Sequence, residues 1–301
     1  MPRAINRRRF LALAAGVLAA ATHPLGAQIR RALPRGAAAL PLIGMGTWLT
    51  FEVAFEDAAQ RTQRQLVLER FFAAGGGMID SSPMYGRAEH LLGQLLPRVA
   101  HEGRLWSATK IWTPFDALGS TQLAESLRLW GGPRFDVVLV HNLLNWRAHL
   151  RTLRRAQDEG QILRVGISTS HGQRHDEAER VIRSEALDVL QITYNLADAS
   201  AEPLMRLAAE RGLAVVINRP LDGGWLFRRV AGRALPAWAQ EFDCANWAQF
   251  FLKWVVAHPA VTCAIPATRH PGHMDENMGA GRGRLPDAAQ RRRMQAYIDA
   301  L

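Results

Sequence analysis

The sequence predicts an α/β protein that folds as a closed (β/α)8 TIM barrel. Eight short apolar runs alternate with segments of helical period between residues 40 and 267. Near-continuous apolar strands joined by helical crossovers indicate a parallel sheet that is covered on both faces. Eight such units in one chain of 301 residues favour a closed barrel over an open sheet.

The eight predicted strands are short and apolar, and turn residues separate them from the helices. They cover residues 40–46, 77–80, 104–110, 135–141, 162–168, 187–193, 213–218 and 261–267. Apolar residues recur at helical spacing between them, as in residues 62–74, 88–96, 148–160, 177–187, 201–212 and 246–259. An open dinucleotide-binding sheet requires G-x-G-x-x-G after its first strand, and "GMGTWL" lacks the third glycine.

Residues 1–27 are expected to form a signal peptide that precedes a single barrel domain of residues 28–301. Four arginines and no acidic residue occur in this segment, and an apolar stretch covers residues 10–21. Small residues follow at positions 26–27, as at a signal-peptide cleavage site. Such a stretch is too short to cross a hydrocarbon core about 30 Å thick, so we expect no stable membrane insertion. A basic helix lying on the barrel is the alternative, which the absence of a polar face in the sequence disfavours.

The arginine run resembles a twin-arginine export signal. Arg7, Arg8 and Arg9 precede Phe10 and Leu11, the order seen in such signals. We therefore expect the export machinery to recognise the leader and the protein to be periplasmic or secreted after twin-arginine export. If the leader is not used, we expect a cytoplasmic protein.

The charge pattern disfavours a nucleic-acid partner. The formal net charge is +10 at pH 7, and four of these charges lie in the leader. Arginine carries nearly all of the positive charge along the whole chain, because only Lys110 and Lys253 are lysines. The sequence contains no basic stripe interleaved with aromatic residues. The late cluster "QRRRMQAYIDAL" is typical of a solvated helix face.

Four chemically active side chains are predicted at the carboxyl ends of the strands, where barrel enzymes carry their sites. Asp80 ends the second strand and Tyr85 follows in its loop. Lys110 ends the third strand and His141 ends the fourth. An ammonium stabilises a neighbouring phenolate and lowers the tyrosine pKa, and a carboxylate holds that ammonium in place. The group therefore predicts Tyr85 as a proton donor and a neutral histidine that directs a carbonyl oxygen toward it.

Motifs around these residues resemble the aldo-keto reductase superfamily over residues 40–280. In family order and at family spacing they are "LIGMGTW", "GGGMIDSSPMYGRAEHLLG", "SATK", "LVHN", "RVGIS", "LQITYN" and "IPATRHPGHMDEN". The resemblance implies a nicotinamide-dependent reductase of aldehydes or ketones whose catalytic residues are Asp80, Tyr85, Lys110 and His141. A non-catalytic nucleotide-sensing or binding protein on the same barrel is the alternative, because fold alone does not fix function. The intact set of four favours the enzyme.

The resemblance also implies which residues bind the cofactor. Ser168 and Gln191 are expected to hold the nicotinamide carboxamide, with Asn142 and Thr169 nearby. The expected contacts to the remainder of the nucleotide are Thr268, Arg269, Glu276 and Asn277. Trp48, Trp112 and Trp146 are candidates for the apolar walls of the substrate pocket, although tryptophan is more often plain core.

The chain departs from the family pattern at two places. Asn218 and Arg219 stand where a tyrosine usually stacks on the nicotinamide, so that stacking is expected to be lost or supplied by another ring such as Trp225. Ala267 replaces the lysine that usually follows Ile-Pro, which leaves Arg269 as the nearby cation. Because a guanidinium suits a phosphate, we expect NADP in preference to NAD.

One histidine pair has a spacing known from metal sites. His171 and His175 lie four residues apart after the fifth strand, but the segment lacks the glutamate of H-E-x-x-H. Two surface histidines are the better interpretation, and we expect no metal.

Overall fold

The structure is a computed structural model that describes residues 26–36, 38–101 and 103–301. The predicted leader lies outside these residues, except for Gly26 and Ala27. No helix within the described ranges is long and apolar enough to cross a membrane.

A small antiparallel hairpin precedes the barrel. Its strands are β1 (Arg30–Ala32) and β2 (Ala39–Pro41). Leu33 and Leu40 pack in one cluster with the side chains that fill the barrel interior. Arg31 donates hydrogen bonds to the carbonyl oxygens of Val256 and Val261, which precede the last barrel strand. The hairpin therefore closes the barrel at the amino-terminal ends of its strands.

Eight parallel strands form the barrel, which confirms the predicted fold class. They are β3 (Met45–Gly46), β4 (Met78–Asp80), β5 (Trp106–Ile111), β6 (Val137–His141), β7 (Val165–Ser168), β8 (Val189–Thr193), β9 (Ala214–Asn218) and β10 (Cys263–Ala264). Each strand pairs with the next one in the chain. Parallel bridges from Ile43 to Ala264 and from Gly46 to Ala267 join the first barrel strand to the last.

The predicted strand 40–46 divides in two. Its first residues belong to β2, and only Met45 and Gly46 form β3. The backbone between them still bonds to β10, because Gly44 N donates to Ala264 O and Ala264 N donates to Leu42 O, both at 2.8 Å. One apolar run thus serves the hairpin and the barrel in succession, which the pattern of apolar residues does not reveal.

Ten α-helices lie in the described part of the chain. They are α1 (Ala58–Ala73), α2 (Ala88–Leu95), α3 (Leu118–Trp130), α4 (Trp146–Asp158), α5 (His175–Ser184), α6 (Glu202–Glu210), α7 (Trp225–Arg229), α8 (Trp247–Val256), α9 (Pro271–Gly279) and α10 (Ala288–Asp299). Helices α1, α2, α4, α5, α6 and α8 correspond to the six segments of helical spacing, and α10 contains the late basic cluster. The side chains of Asp57, Asn246 and Asp287 cap α1, α8 and α10 by accepting a backbone N–H three residues later.

Candidate active site

The four predicted catalytic residues converge at the carboxyl ends of β4, β5 and β6. Asp80 ends β4, His141 ends β6, and Lys110 lies near the end of β5 between them. Tyr85 follows β4 in the loop that leads into α2. Asp80, Tyr85 and His141 line one cavity of about 740 Å³. Neighbouring parallel strands end at the same edge, so three separate motifs meet in one site.

A fully buried ion pair forms the floor of the site. Lys110 Nζ donates to the two carboxylate oxygens of Asp80 at 2.9 and 2.7 Å and to Ser81 O at 2.7 Å. Gln191 Nε2 donates to Asp80 Oδ1 at 2.8 Å. Burial by itself lowers the pKa of Lys110, but the Asp80 carboxylate outweighs burial and holds that pKa above its ordinary value. The lysine is therefore a fixed positive charge.

Tyr85 lies over this charge. The Lys110 Nζ is 4.9 Å from the centroid of the Tyr85 ring. Burial is the largest influence on the phenol and raises the pKa of Tyr85 above its ordinary value, although Lys110 lowers it. This differs from the net lowering expected from the sequence, because the ammonium only offsets part of the desolvation. The phenol consequently carries its proton at neutral pH, as a proton donor requires.

His141 is neutral. Its Nδ1 lies 2.7 Å from Ser168 Oγ, and burial, followed by the charge of Lys110, lowers the pKa of His141 to about 3. A neutral imidazole has one ring N–H, and the contact with Ser168 leaves Nε2 as the other nitrogen available to a ligand. His141 can therefore orient a carbonyl oxygen without adding a positive charge.

The predicted cofactor-binding residues differ in their burial and in their position relative to the cavity. Ser168 and Gln191 are buried, and their side chains bond to His141 and Asp80 as described above. Those on the cavity wall are Asn142, Thr268, Glu276 and Asn277. Arg269 is exposed just before α9 and is not part of that wall. The Thr169 hydroxyl is buried and has no hydrogen-bond partner among the described residues.

Only one of the three candidate tryptophans reaches the cavity. Trp48 lines it, and its ring meets His171 edge-on at 6.2 Å. Trp112 is exposed outside the wall, and Trp146 begins α4 and packs against the core. Both belong to described segments, so the cavity has fewer tryptophans than the sequence suggested.

The side-chain amide of Asn218 is hydrogen-bonded to residues at the ends of other barrel strands. Its Nδ2 donates to Thr169 O at 2.8 Å, and its Oδ1 accepts from Thr193 Oγ1 at 2.6 Å. Trp225 starts α7 in a separate groove and does not line the cavity, whereas Phe227 does. Phe227, rather than Trp225, is thus the aromatic side chain that α7 contributes to the wall.

Sequence reasoning gave no site role to three cationic or ionisable residues of the cavity wall that share a left-handed backbone. His171, Arg174 and Arg219 all line the cavity. Their backbone φ angles are 61°, 60° and 48°, in the left-handed region that non-glycine residues rarely adopt. Residues held in this way cluster at functional sites. Their position directly after the fifth and seventh barrel strands is the signal in the sequence that could have found them.

The two histidines of the pair lie in different elements. His175 begins α5, and His171 lies in the loop before it. Among residues 26–36, 38–101 and 103–301, no three histidine, cysteine, aspartate or glutamate side chains are grouped as metal ligands.

Two curated proteins of Escherichia coli (strain K12) resemble the chain over most of its length. Methylglyoxal reductase YeaE is 25% identical over 248 residues, which are 80% of this chain and 86% of that protein. Pyridoxine 4-dehydrogenase is 25% identical over 236 residues, which are 71% of this chain and 79% of that protein.

Solved structures of two other proteins align with this chain over most of its length. An aldo/keto reductase from Klebsiella pneumoniae in complex with NADP and acetate is 26% identical, with a TM-score of 0.69 over 87% of this chain and 92% of that one. The holo form of an aldo-keto reductase from Bacillus halodurans is 17% identical, with a TM-score of 0.74 over 89% and 96%. The second likeness bears on the fold alone.

The profile of the Aldo/keto reductase family matches residues 42–297. This range contains all eight barrel strands and the four converging side chains. The chain therefore belongs to the aldo/keto reductase family of oxidoreductases.

Proposed function

We propose that the protein reduces an aldehyde or ketone to an alcohol with NADPH and uses Tyr85 as its proton donor. The observation that carries the proposal is the protonated phenol over the buried Lys110–Asp80 pair, beside a neutral His141. A purely binding protein requires no such combination of acid, fixed charge and neutral imidazole. The relative named methylglyoxal reductase supports an aldehyde substrate.

The chain's own residues would act on the carbonyl oxygen. His141 would orient this oxygen toward the phenol, and Tyr85 would donate its proton as negative charge develops there. Lys110 would stabilise the phenolate that remains, and Asp80, itself held by Gln191, would keep the ammonium in place. The bound nicotinamide would supply the hydride that adds to the carbonyl carbon.

The residues present fit a dinucleotide. The unpartnered Thr169 hydroxyl and Asn142 could bind the carboxamide end, and Glu276 and Asn277 line the opposite part of the wall. The Klebsiella relative is described with NADP, which supports NADP over NAD. Arg269, near the amino terminus of α9, would supply the charge for the 2′-phosphate, assisted by the helix dipole.

Replacement of Tyr85 tests the proposal. Tyr85→Phe keeps the ring but removes the acid, so kcat/KM for an accepted aldehyde should fall by about 10² to 10⁴ while NADPH still binds. Tyr297→Phe, in α10, is the matched control and should keep full activity. Undiminished reduction by the Tyr85 variant would disprove the assignment.

A second measurement concerns the cofactor. Fluorescence titration should give tighter binding of NADPH than of NADH, and Arg269→Ala should weaken NADPH by about ten- to hundred-fold because a charged phosphate contact is lost. Unchanged NADPH affinity in this variant would assign the 2′-phosphate to other residues.

We also propose export through the twin-arginine route, on the strength of the leader sequence. Mass spectrometry of protein from an export-competent host should then find an amino terminus near Gln28. Soluble full-length protein as the sole product would contradict the leader assignment.

A further inference from the structure

Arg219 lies on the cavity wall in an arrangement that the proposed reduction does not use. It directly follows β9, and its guanidinium carbon is 5.8 Å from the Trp48 ring centroid. Its side chain is only 16% exposed. The guanidinium is therefore mostly buried at the cavity wall and is not free in solvent.

The backbone fixes this arginine in a strained conformation. Its carbonyl oxygen accepts from Asn195 Nδ2 and from Asp222 N, both at 2.9 Å, while φ is 48°. The guanidinium lies beside Gly223, whose own φ is 60°, and a Cβ on Gly223 would be in ordinary van der Waals contact with Arg219 Nη2 at 3.4 Å. Left-handed backbone at a non-glycine residue costs about 1 to 2 kcal/mol, which indicates that the position is maintained for a purpose.

Most of the guanidinium is available to a ligand. Nη2 donates to Asp222 Oδ1 at 3.1 Å, and this is the one side-chain hydrogen bond of Arg219 within the described ranges. An arginine has five N–H donors, so Nε and Nη1 remain free. Arg174, the other arginine of the wall, is by contrast engaged with Glu177 and with the Asn142 carbonyl.

The surroundings of Arg219 favour an anion over a neutral group. Asp222 lines a neighbouring groove that Arg219 also borders, but Arg219 alone of the two lines the cavity. The carboxylates on the described cavity wall are Asp80, which pairs with Lys110, and Glu276 in α9, and neither is hydrogen-bonded to Arg219 among the described residues. The charge of Arg219 acts at His171 on the same wall, where burial and then Arg219 lower the imidazole pKa and Asp222 partly offsets them. Apolar side chains, including Trp48 and Met84, form other parts of the wall.

We propose that Arg219 binds a carboxylate of the substrate, so that the preferred substrates are aldehydes or ketones with an apolar body and a carboxylate. The inference rests on the proposed carbonyl reduction. Charge-assisted hydrogen bonds from the free N–H donors of the guanidinium to a carboxylate would orient the substrate by its far end. Trp48, in contact with Arg219, would cover the apolar part.

The test compares two aldehydes that differ in one charge, 4-carboxybenzaldehyde and methyl 4-formylbenzoate. The wild-type protein should reduce the acid with a kcat/KM at least ten-fold above that of the ester. Arg219→Met should lower this ratio by about ten- to hundred-fold, as expected for loss of one charged contact. Arg219→Lys should keep part of the preference, and it guards against a variant that fails to fold. Arg228→Met, four residues into α7 and outside the cavity wall, is the matched control and should keep the wild-type ratio.

Each other outcome has a definite meaning. A wild-type ratio near one, or an unchanged ratio in Arg219→Met, would overturn the inference while ester reduction keeps the proposed function. A ten-fold loss of NADPH affinity in Arg219→Met, measured by fluorescence titration, would assign the guanidinium to the cofactor and also overturn it. If the wild-type protein reduces neither aldehyde with NADPH, the proposed function and this inference fall together.

Discussion

The buried pair of Asp80 and Lys110 gives the sharpest test of how the site is built. Lys110 is fully buried and has three acceptor contacts between 2.7 and 2.9 Å, two of them to Asp80. Asp80→Asn would leave a buried ammonium without its counter-charge, because an amide oxygen accepts a hydrogen bond but is neutral. Lys110→Met would leave a buried carboxylate with the Gln191 amide. Removing one partner of a buried pair costs about 3 to 5 kcal/mol, so each single variant should lose that much stability.

The double variant, Asp80→Asn with Lys110→Met, should be much less destabilised than the sum of the singles, because no uncompensated charge remains. We expect a coupling energy of about 2 kcal/mol or more from urea unfolding of the four proteins, with carbonyl reduction lost in the double variant. The exposed pair of Glu179 and Arg183, 2.7 Å apart on α5, is the control and should couple by only about 0.3 to 0.5 kcal/mol. Equal coupling in the two pairs would refute the reasoning.

Three further predictions concern protons and packing. The pKa of His141 is about 3 and the pKa of Tyr85 is raised, so neither group should change protonation between about pH 5 and pH 9. We therefore expect kcat/KM for a neutral aldehyde at saturating NADPH to be constant over this range. A change in kcat/KM with a midpoint near pH 6.5 would contradict a neutral histidine. A Cβ on Gly93 would overlap the Leu129 carbonyl where α2 crosses α3, so Gly93→Ala should lower stability by about 1 to 3 kcal/mol or more in thermal unfolding. Glu89 accepts hydrogen bonds from three buried side chains, so Glu89→Ala should destabilise more than Glu89→Gln in urea, and equal effects would show that the donors find other partners.

The barrel was predictable because its signal is repeated. Because eight apolar runs recur at regular intervals, a wrong boundary for one strand does not change the predicted fold class. The wrong boundary of the first strand is an example. That error has a physical cause, since Leu40 and Met45 are both apolar and buried although one lies in the hairpin and the other in the barrel. The pattern of apolar residues indicates which residues are buried, but it does not indicate which strand each of them pairs with.

Within the site, residues at strand ends were predictable and their side-chain partners were not. Asp80 and Lys110 lie at strand ends, and their contact follows from neighbouring strands. The bond from Gln191 to Asp80 spans 111 residues of sequence and crosses the barrel, so no local pattern encodes it. Arg219 projects from a left-handed turn, where neither strand nor helix periodicity gives the direction of a side chain.

The hairpin of β1 and β2 determines at which end of the barrel a tag or tether can be attached without covering the cavity. The chain enters the fold at Gln28, whose Nε2 donates to Met278 O, and Arg31 then anchors the hairpin at the amino-terminal ends of the strands. The cavity opens at the other end of the barrel, so a tag, a fusion partner or a surface tether joined ahead of Gln28 would leave the mouth free.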